Sequence, residues 1–411
     1  MGFVWSIVVE MGHLWVQTLT STSFLLIYGL LVLLVISQYR RMQTMSEPLF
    51  QGRRKMYLSS ALISAGLGLL GGLVGSIILV ILGVDLAGIA ILQLWVVAIV
   101  LMLIQPRFLC FSYAAGVISV SSLWFGYPHV NIPQLMGLVA VLHLVESGLI
   151  ILNGPLSPFP IYLQKQGQLR GGFNLQLFWP IPLIALLGVS AGQSNTGMVT
   201  PQWWPLLQNY SHFTSNQNYA LIPLLAVLGY GEISTTQTPA QASRSSSLHL
   251  FIFSLSLLCL AVLASRITFF LLPVALFSPL GHELVVWLGL QTENHADPIY
   301  VPPGRGVMIL DVLPGTPAHR HAIRTHDVIL TVNSIDVDGY HALQNQLNRG
   351  SRELVIAIQR GAEVVNLRVP VTPNQDLGVI PVPEADARRY VQVNEDSILT
   401  RSLRKWGRKK K

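Results

Sequence analysis

Hydrophobic residues fill long uninterrupted stretches up to residue 290 of this chain and short alternating runs from residue 296 onward. A membrane-spanning helix needs about 20 mostly apolar residues, because backbone groups cannot lie unbonded in hydrocarbon. The strong candidates are 19–38, 58–82, 86–104, 108–126, 134–152, 175–192 and 248–264, and the weaker ones are 218–233 and 267–290. The pattern therefore predicts a membrane domain of eight or nine helices at 1–290.

The composition supports this division of the chain. Of the 411 residues 51% are hydrophobic and 11% are charged, whereas soluble domains average about 25% charged residues. A wholly soluble protein is therefore excluded. Cys110 and Cys259 both lie inside apolar stretches, where they are expected to be small buried side chains. Their spacing indicates neither a disulfide framework nor a metal site, so we expect no metal and no other cofactor.

Basic residues predict the orientation of the membrane domain. The loop 39–56 holds several Lys and Arg against the single acid Glu47, and the positive-inside rule places such a loop in the cytoplasm. Alternation from there brings Gln291 and the residues after it to the cytoplasmic side. In the second predicted span, 58–82, Gly68 and Gly72 form a pair that lets helix backbones approach closely. We favour packing inside the bundle for this pair, and a homo-oligomer is left open.

Ionisable residues at membrane depth are candidates for function. His143 and Glu146 share one helix face, and we interpret them as a hydrogen-bonded pair inside the bundle. His282 and Glu283 begin an H-E-x-x-H-like run, but Val286 stands where a zinc protease has its second histidine. We interpret them as the cytoplasmic end of the last span and expect no catalytic residue.

The region after residue 296 alternates as soluble strands do and includes one helix. The pattern predicts strands at 306–312 and 327–333, a turn and short helix at 313–318, a helix at 340–348, and a hairpin of 354–359 with 364–371. This order resembles the PDZ domain of bacterial membrane and periplasmic proteases. The matching runs are Gly-Val-x-Ile-x-x-Val, Pro-Gly-Thr-Pro-Ala and Asp-Val-Ile-Leu-x-Val-Asn. Ala322 and His326 replace two glycines of that family, so we predict a different or strained turn there.

The fold class is therefore a polytopic α-helical membrane bundle followed by a small α+β PDZ-like domain at 296–382. PDZ domains bind an extended peptide as an added strand at a sheet edge. The resemblance implies that Gly306–Leu310 is this edge, that the helix 340–348 is the other wall, and that the loop before the strand holds a carboxylate. The candidate peptide-binding residues are Gly304, Arg305, Gly306, Val307, Met308, Ile309, Leu343 and Leu347.

The tail at 383–411 is strongly basic. Clusters of Lys and Arg beside a membrane attract anionic lipid headgroups, so we predict membrane-surface contact and expect no nucleic acid. The residues concerned are Arg401, Arg404, Lys405, Trp406, Arg408, Lys409, Lys410 and Lys411.

Many membrane spans, no protease motif and one C-terminal PDZ domain resemble the MinJ family of Gram-positive division-site proteins. The resemblance implies an adaptor at the septum and poles that links DivIVA-like and MinD-like partners. The residues alone predict a membrane-anchored peptide-binding adaptor that is not an enzyme. Two alternatives stay open: a catalytically inactive relative of the intramembrane site-2 metalloproteases, and a transporter with a regulatory PDZ domain.

Overall fold

The computed structural model describes residues 3–50, 56–165, 167–189, 204–207, 218–372, 376–384 and 391–392. Its first half holds the helices α1 (Phe3–Thr20), α2 (Thr22–Phe50), α3 (Met56–Leu82), α4 (Ile91–Ile104), α5 (Phe111–Phe125) and α6 (Ile132–Asn153). The strands β1 (Phe159–Lys165), β2 (Gln168–Asn174), β3 (Leu177–Val189), β4 (Asn218–Tyr230) and β5 (Ile233–Ser234) follow. The helices α7 (Pro239–Ala264) and α8 (Leu271–His295) then lead to the C-terminal region.

Within the described residues, five helices are long and apolar enough to cross a membrane. These segments are Thr22–Thr44, Tyr57–Leu82, Ile132–Asn153, Pro239–Ala264 and Thr268–His295. The helices α4 and α5 are apolar but shorter. The predicted fold class is confirmed: a helical region with several membrane-span-capable helices precedes a β-rich C-terminal domain.

The spans predicted at 175–192 and 218–233 are wrong, because Leu177–Val189 and Asn218–Tyr230 form the strands β3 and β4. The two strands pair as one antiparallel hairpin from Leu177↔Tyr230 to Val189↔Asn218. Pro180 and Pro182 explain the outcome, since proline inside a helix removes hydrogen bonds and clashes with the preceding turn. The high mean hydropathy of the β3 segment correctly indicated burial. Hydropathy alone does not distinguish a buried strand from a helix.

The strand β3 is buried because it lies directly against α3. A Cβ atom at Gly68 would stand 2.3 Å from the Pro180 carbonyl oxygen, and one at Gly72 would stand 2.0 Å from that of Pro182. Further along, the backbone N–H of Ile184 donates to Ser76 Oγ over 2.8 Å. Non-helical backbone is tolerated at membrane depth only where protein satisfies its polar groups. The glycine pair therefore packs inside the chain, as expected, although its partner is a strand.

The C-terminal domain contains the predicted strands and helices. They are β6 (Val307–Val312), α9 (Pro317–Arg320), β7 (Val328–Val332), β8 (Ile335–Asp336), α10 (Tyr340–Leu347), β9 (Glu353–Arg360), β10 (Glu363–Pro370) and β11 (Val379–Pro381). Five strands form one sheet in the order β10-β9-β7-β6-β11, and β8 pairs with β7. A last short strand, β12 (Val391–Gln392), pairs in parallel with β1 outside this domain.

The C-terminal domain docks on the small sheet of β1 and β2. The backbone N–H of Gly171 donates to the carbonyl of Tyr300 over 2.9 Å. Phe173 of β2 shares a buried apolar cluster with Leu310 and Ile380 on the outer face of the domain. The domain is therefore held against the helical region through backbone bonding and apolar contact together.

The turn at 322–327 carries the strain that its missing glycines predict. Ala322 has φ 56° and His326 has φ 72°, the left-handed conformation that glycine adopts at little cost. Asp327 stabilises the turn. Its buried carboxylate accepts hydrogen bonds from Arg360 Nε at 2.8 Å and from Arg324 N at 2.8 Å.

Candidate peptide-binding groove

The strand β6 has a partner on both sides. It pairs with β7 at Val307↔Ile329 and with β11 at Val379↔Val312. Gly306–Leu310 therefore does not present the free edge expected for a bound peptide, and the backbone groups needed for an added strand are already bonded. The sequence did not reveal this because β11 has only three residues and one of them is Pro381, a pattern too short to predict a strand.

The sheet ends at β10 on one side and at β11 on the other, and the three residues of β11 have buried side chains. On the inner side of β11, Leu313 N donates to Gly378 O and Val382 N donates to Met308 O, both over 2.9 Å. Backbone groups alternate between the two sides of an antiparallel strand, so the N–H and C=O of Val379 point away from β6. This is the geometry that accepts an additional strand.

The helix α10 packs on the same apolar core as β11 and is the candidate second wall. Leu343 is fully buried and packs in the same apolar cluster as Leu377 and Val379. A leucine in this core position cannot line an open groove. The half-buried side chains of Tyr340, Gln344 and Leu347 follow the spacing i, i+4, i+7 along one face of the helix. Leu347 packs partly against the same core and is half-buried, so it is the more accessible of the two predicted wall leucines.

The predicted carboxylate-binding loop lies at the start of β6. Gly304 and Arg305 are exposed there, and the Arg305 guanidinium pairs with the exposed carboxylate of Asp336 over 2.9 Å. Gly306 has a structural role: its φ is +82°, and a Cβ atom would stand 2.6 Å from the Ile329 carbonyl oxygen. The corresponding turn before β11 contains Gly378, also at φ +82° and tightly packed on Thr316.

One end of the groove is closed by groups of the protein itself. The Tyr162 hydroxyl of β1 donates to the Pro381 carbonyl over 2.7 Å. Burial raises the pKa of Tyr162, so this hydroxyl stays protonated and able to donate. Beside it, the Glu384 carboxylate accepts a hydrogen bond of 2.5 Å from the backbone N–H of Tyr340 at the start of α10. The outward backbone groups left without these partners on β11 are therefore those of Val379, whose side chain is buried in the same core as Leu343.

The sequence reasoning missed Tyr162 and Val379 as groove residues. Tyr162 comes from the sheet beside the helical region, 219 residues from Pro381, and no motif connects the two. The predicted membrane-surface residues of the tail, from Arg401 to Lys411, lie outside the described residues.

Residues 286–371 match the family model described as PDZ domain. The match agrees with the strand and helix order of this region, and a PDZ domain supports binding of peptide or protein partners. No curated protein matches the chain.

Proposed function

We propose that this chain is a membrane-anchored adaptor that binds an extended segment of a partner protein between β11 and α10. The observation that carries the proposal is the outward-facing backbone of Val379 on the terminal strand of the sheet, which shares its apolar core with α10. The added segment would pair with Val379 and place a side chain against Leu347. The Tyr162 hydroxyl would limit the length of pairing, since it occupies the next outward carbonyl.

The five span-capable helices support membrane anchoring. The segment 39–56 has an excess of Lys and Arg, and this excess supports a cytoplasmic PDZ domain. Alkaline phosphatase fused after Leu290 is expected to be inactive, because the enzyme needs an oxidising compartment to form its disulfides. A fusion after Gln202 is expected to be active. The opposite pattern would place the groove on the outer side of the membrane and exclude cytoplasmic partners.

The resemblance to the MinJ family extends the proposal to division-site placement, with DivIVA-like and MinD-like partners at the septum and poles. Its support is the shared arrangement of many membrane helices followed by one C-terminal PDZ domain. The basic tail would add contact with anionic lipids through charge. In this role the protein positions partners and catalyses no reaction.

The groove is tested by site-specific photocrosslinking in native membranes. A photoreactive residue at Leu347 is expected to capture a partner, because the added segment would place a side chain against it. The matched control is Val364, which is 60% exposed on β10 at the opposite edge of the sheet. Tyr162→Phe frees the Pro381 carbonyl and is expected to increase capture at Leu347. Equal capture at both positions, with no effect of Tyr162→Phe, would contradict the proposed groove.

A further inference from the structure

Three side chains from separate parts of the helical region meet at one point. Cys110 stands immediately before α5, His143 lies in the middle of α6, and His282 lies in α8. The Cys110 Sγ atom is 3.1 Å from His143 Nε2 and 3.5 Å from His282 Nε2. All three atoms lie within 4.8 Å of one another. We infer that they form a metal site that binds Zn²⁺.

Both imidazoles are oriented as metal ligands are. His143 Nδ1 lies 2.8 Å from the carbonyl oxygen of Val139, which can only accept, so Nδ1 carries the proton and Nε2 carries the lone pair. The Tyr113 hydroxyl donates to Glu283 Oε2 over 2.7 Å, and its oxygen accepts from His282 Nδ1 over 3.3 Å. The His282 Nε2 lone pair is thereby also directed at the sulfur.

Without a cation, the cluster has fewer hydrogen-bond donors than its two Nε2 acceptor atoms need. The two Nε2 lone pairs face one thiol, and a thiol has a single proton to donate. At least one buried acceptor nitrogen then has no partner in the cluster, and such a group costs about 1–3 kcal/mol. A divalent cation bound by the thiolate and both nitrogens removes this deficit.

The distances suit zinc. Zinc bonds of about 2.3 Å to sulfur and about 2.0–2.1 Å to nitrogen, at a tetrahedral angle, separate the two ligand atoms by about 3.5 Å. The sulfur–nitrogen distances of 3.1 and 3.5 Å need only small shifts to reach that value. Sulfur and imidazole ligands select zinc over magnesium or calcium, which prefer oxygen. The two sulfur–nitrogen distances and the types of ligand therefore both match zinc.

The surroundings of the cluster supply the outer hydrogen bonds that metal sites use to fix their histidines. His282 bonds to Tyr113, and Tyr113 bonds to Glu283. Arg107 holds Glu283 in place through an ion pair of 3.0 Å. Glu146 stands one helical turn after His143 and interacts electrostatically with Cys110.

The site is tested first on the full-length protein, purified in detergent without a histidine tag, incubated with Zn²⁺ and desalted. Mass spectrometry of the metal content is expected to find about one zinc per chain. Cys110→Ser is expected to reduce this at least about tenfold. Cys259→Ser is the matched control, since Cys259 is an exposed cysteine of α7 and should not alter zinc retention. Wild-type protein without zinc, or full retention by Cys110→Ser, would overturn the site and leave a cluster held by hydrogen bonds only.

A second measurement does not depend on the folding of Cys110→Ser. Co²⁺ in place of zinc is expected to give a thiolate charge-transfer absorption in the wild type and in Cys259→Ser. Tyr113→Phe keeps all three ligands but releases His282 Nδ1, and it is expected to weaken zinc affinity about tenfold. Absence of the charge-transfer absorption in the wild type would exclude a metal-bound thiolate.

Discussion

The helical region and the PDZ domain treat polar side chains in opposite ways. The helical region buries many polar side chains, among them Ser64, Ser76, Ser112, Gln134, His143, Asn153, Ser247 and Ser278. Its surface exposes large apolar side chains, such as Leu26 at 71% and Leu92 at 74%. Within the described part of the PDZ domain, the buried polar side chains are Asp327 and Gln346. This difference is the one expected when hydrocarbon surrounds the first region and water the second.

The buried polar groups of the helical region bond across elements. Ser112 Oγ donates to the Ser278 carbonyl over 2.7 Å, and Ser278 Oγ donates to the Ser112 carbonyl over 2.9 Å. Small polar side chains allow such close contact between helices in a lipid environment. In the PDZ domain, by contrast, an apolar core supplies the cohesion, and the buried carboxylate of Asp327 is paired with Arg360. Each region should therefore fail through a different kind of substitution.

The largest effect is expected where backbone meets backbone in the helical region. Gly72→Val places a side chain against the Pro182 carbonyl, where a Cβ atom alone would approach to 2.0 Å. Neither backbone can move without separating α3 from β3, so we expect a loss of about 3 kcal/mol or more. The yield of monodisperse protein in detergent and its thermal unfolding measure the effect.

Gly66→Val is the matched control, because a Cβ atom at Gly66 meets nothing within 4 Å. It lies on the same helix and adds the same side chain. If Gly66→Val and Gly72→Val lowered the unfolding temperature equally, helix propensity would account for both and the close contact with β3 would not.

In the PDZ domain the largest effect is expected at its buried charge. Asp327→Ala removes the acceptor for two hydrogen bonds from Arg360, at 2.8 and 2.7 Å, and for the backbone of Arg324. Arg360 is partly solvated, so we expect a loss of about 2–3 kcal/mol, below the range for a fully buried pair. Hydrogen-exchange protection of β7 and β9 in the full-length protein measures the loss.

The exposed ion pair of Arg305 with Asp336 is the comparison for the buried pair of Asp327 with Arg360. Its oxygen–nitrogen distance is a similar 2.9 Å, but both side chains are more than half exposed. Asp336→Ala is therefore expected to cost less than about 0.5 kcal/mol. A similar loss of protection in both variants would mean that burial does not determine the strength of these pairs.

The sequence predicted local structure well and spatial neighbours poorly. The strand and helix order of the PDZ domain was readable because each motif is continuous, and the glycine replacements at Ala322 and His326 correctly indicated a strained turn. The hairpin of β3 and β4 was mistaken for helices because hydropathy reports only burial, although Pro180 and Pro182 were a usable signal.

The two sites depended on contacts that sequence spacing does not encode. The strand β11 is too short to recognise, so the terminal strand of the sheet could not be assigned. Cys110 and His143 are 33 residues apart, and Cys110 and His282 are 172 apart, whereas readable metal motifs place ligands a few residues apart. Both sites could be located only once the topology was known, because the topology follows from packing of the whole chain.

The boundary between the two regions should respond to pH through Asp311. This carboxylate lines a cavity of about 450 Å³ between the PDZ domain and the helical region, and burial raises its pKa from 3.8 to about 6. A raised folded-state pKa favours the protonated form, so the stability gained below pH 3.8 is lost as the pH rises through 6. Asp311→Asn is expected to gain about 2 kcal/mol at pH 8 and much less near pH 4.

Protection factors of β6 and β2, corrected for intrinsic exchange, measure this difference at both pH values. His326 lines the same cavity, and burial lowers its pKa, so acid acts on it in the opposite direction. Both proteins retain His326, and the difference between them therefore isolates Asp311. Asp338→Asn, at an exposed position, is the control, and a gain that is the same at pH 4 and pH 8 would exclude titration of Asp311 as the cause.

A smaller effect than at Asp311 is expected from relieving the strained turn of the PDZ domain. Ala322 sits at φ 56°, where a side chain costs about 1–2 kcal/mol and glycine costs little. Glycine also gains freedom in the unfolded chain, which offsets part of the benefit. Ala322→Gly is thus expected to stabilise the domain by about 0.5–1 kcal/mol, measured as slower exchange in β7. Ala342→Gly is the matched control, since it puts the same change inside α10, where glycine costs about 1 kcal/mol. If both variants lost protection, the left-handed backbone at Ala322 would carry no strain, and the turn would be stabilised by Asp327 and Arg360 alone.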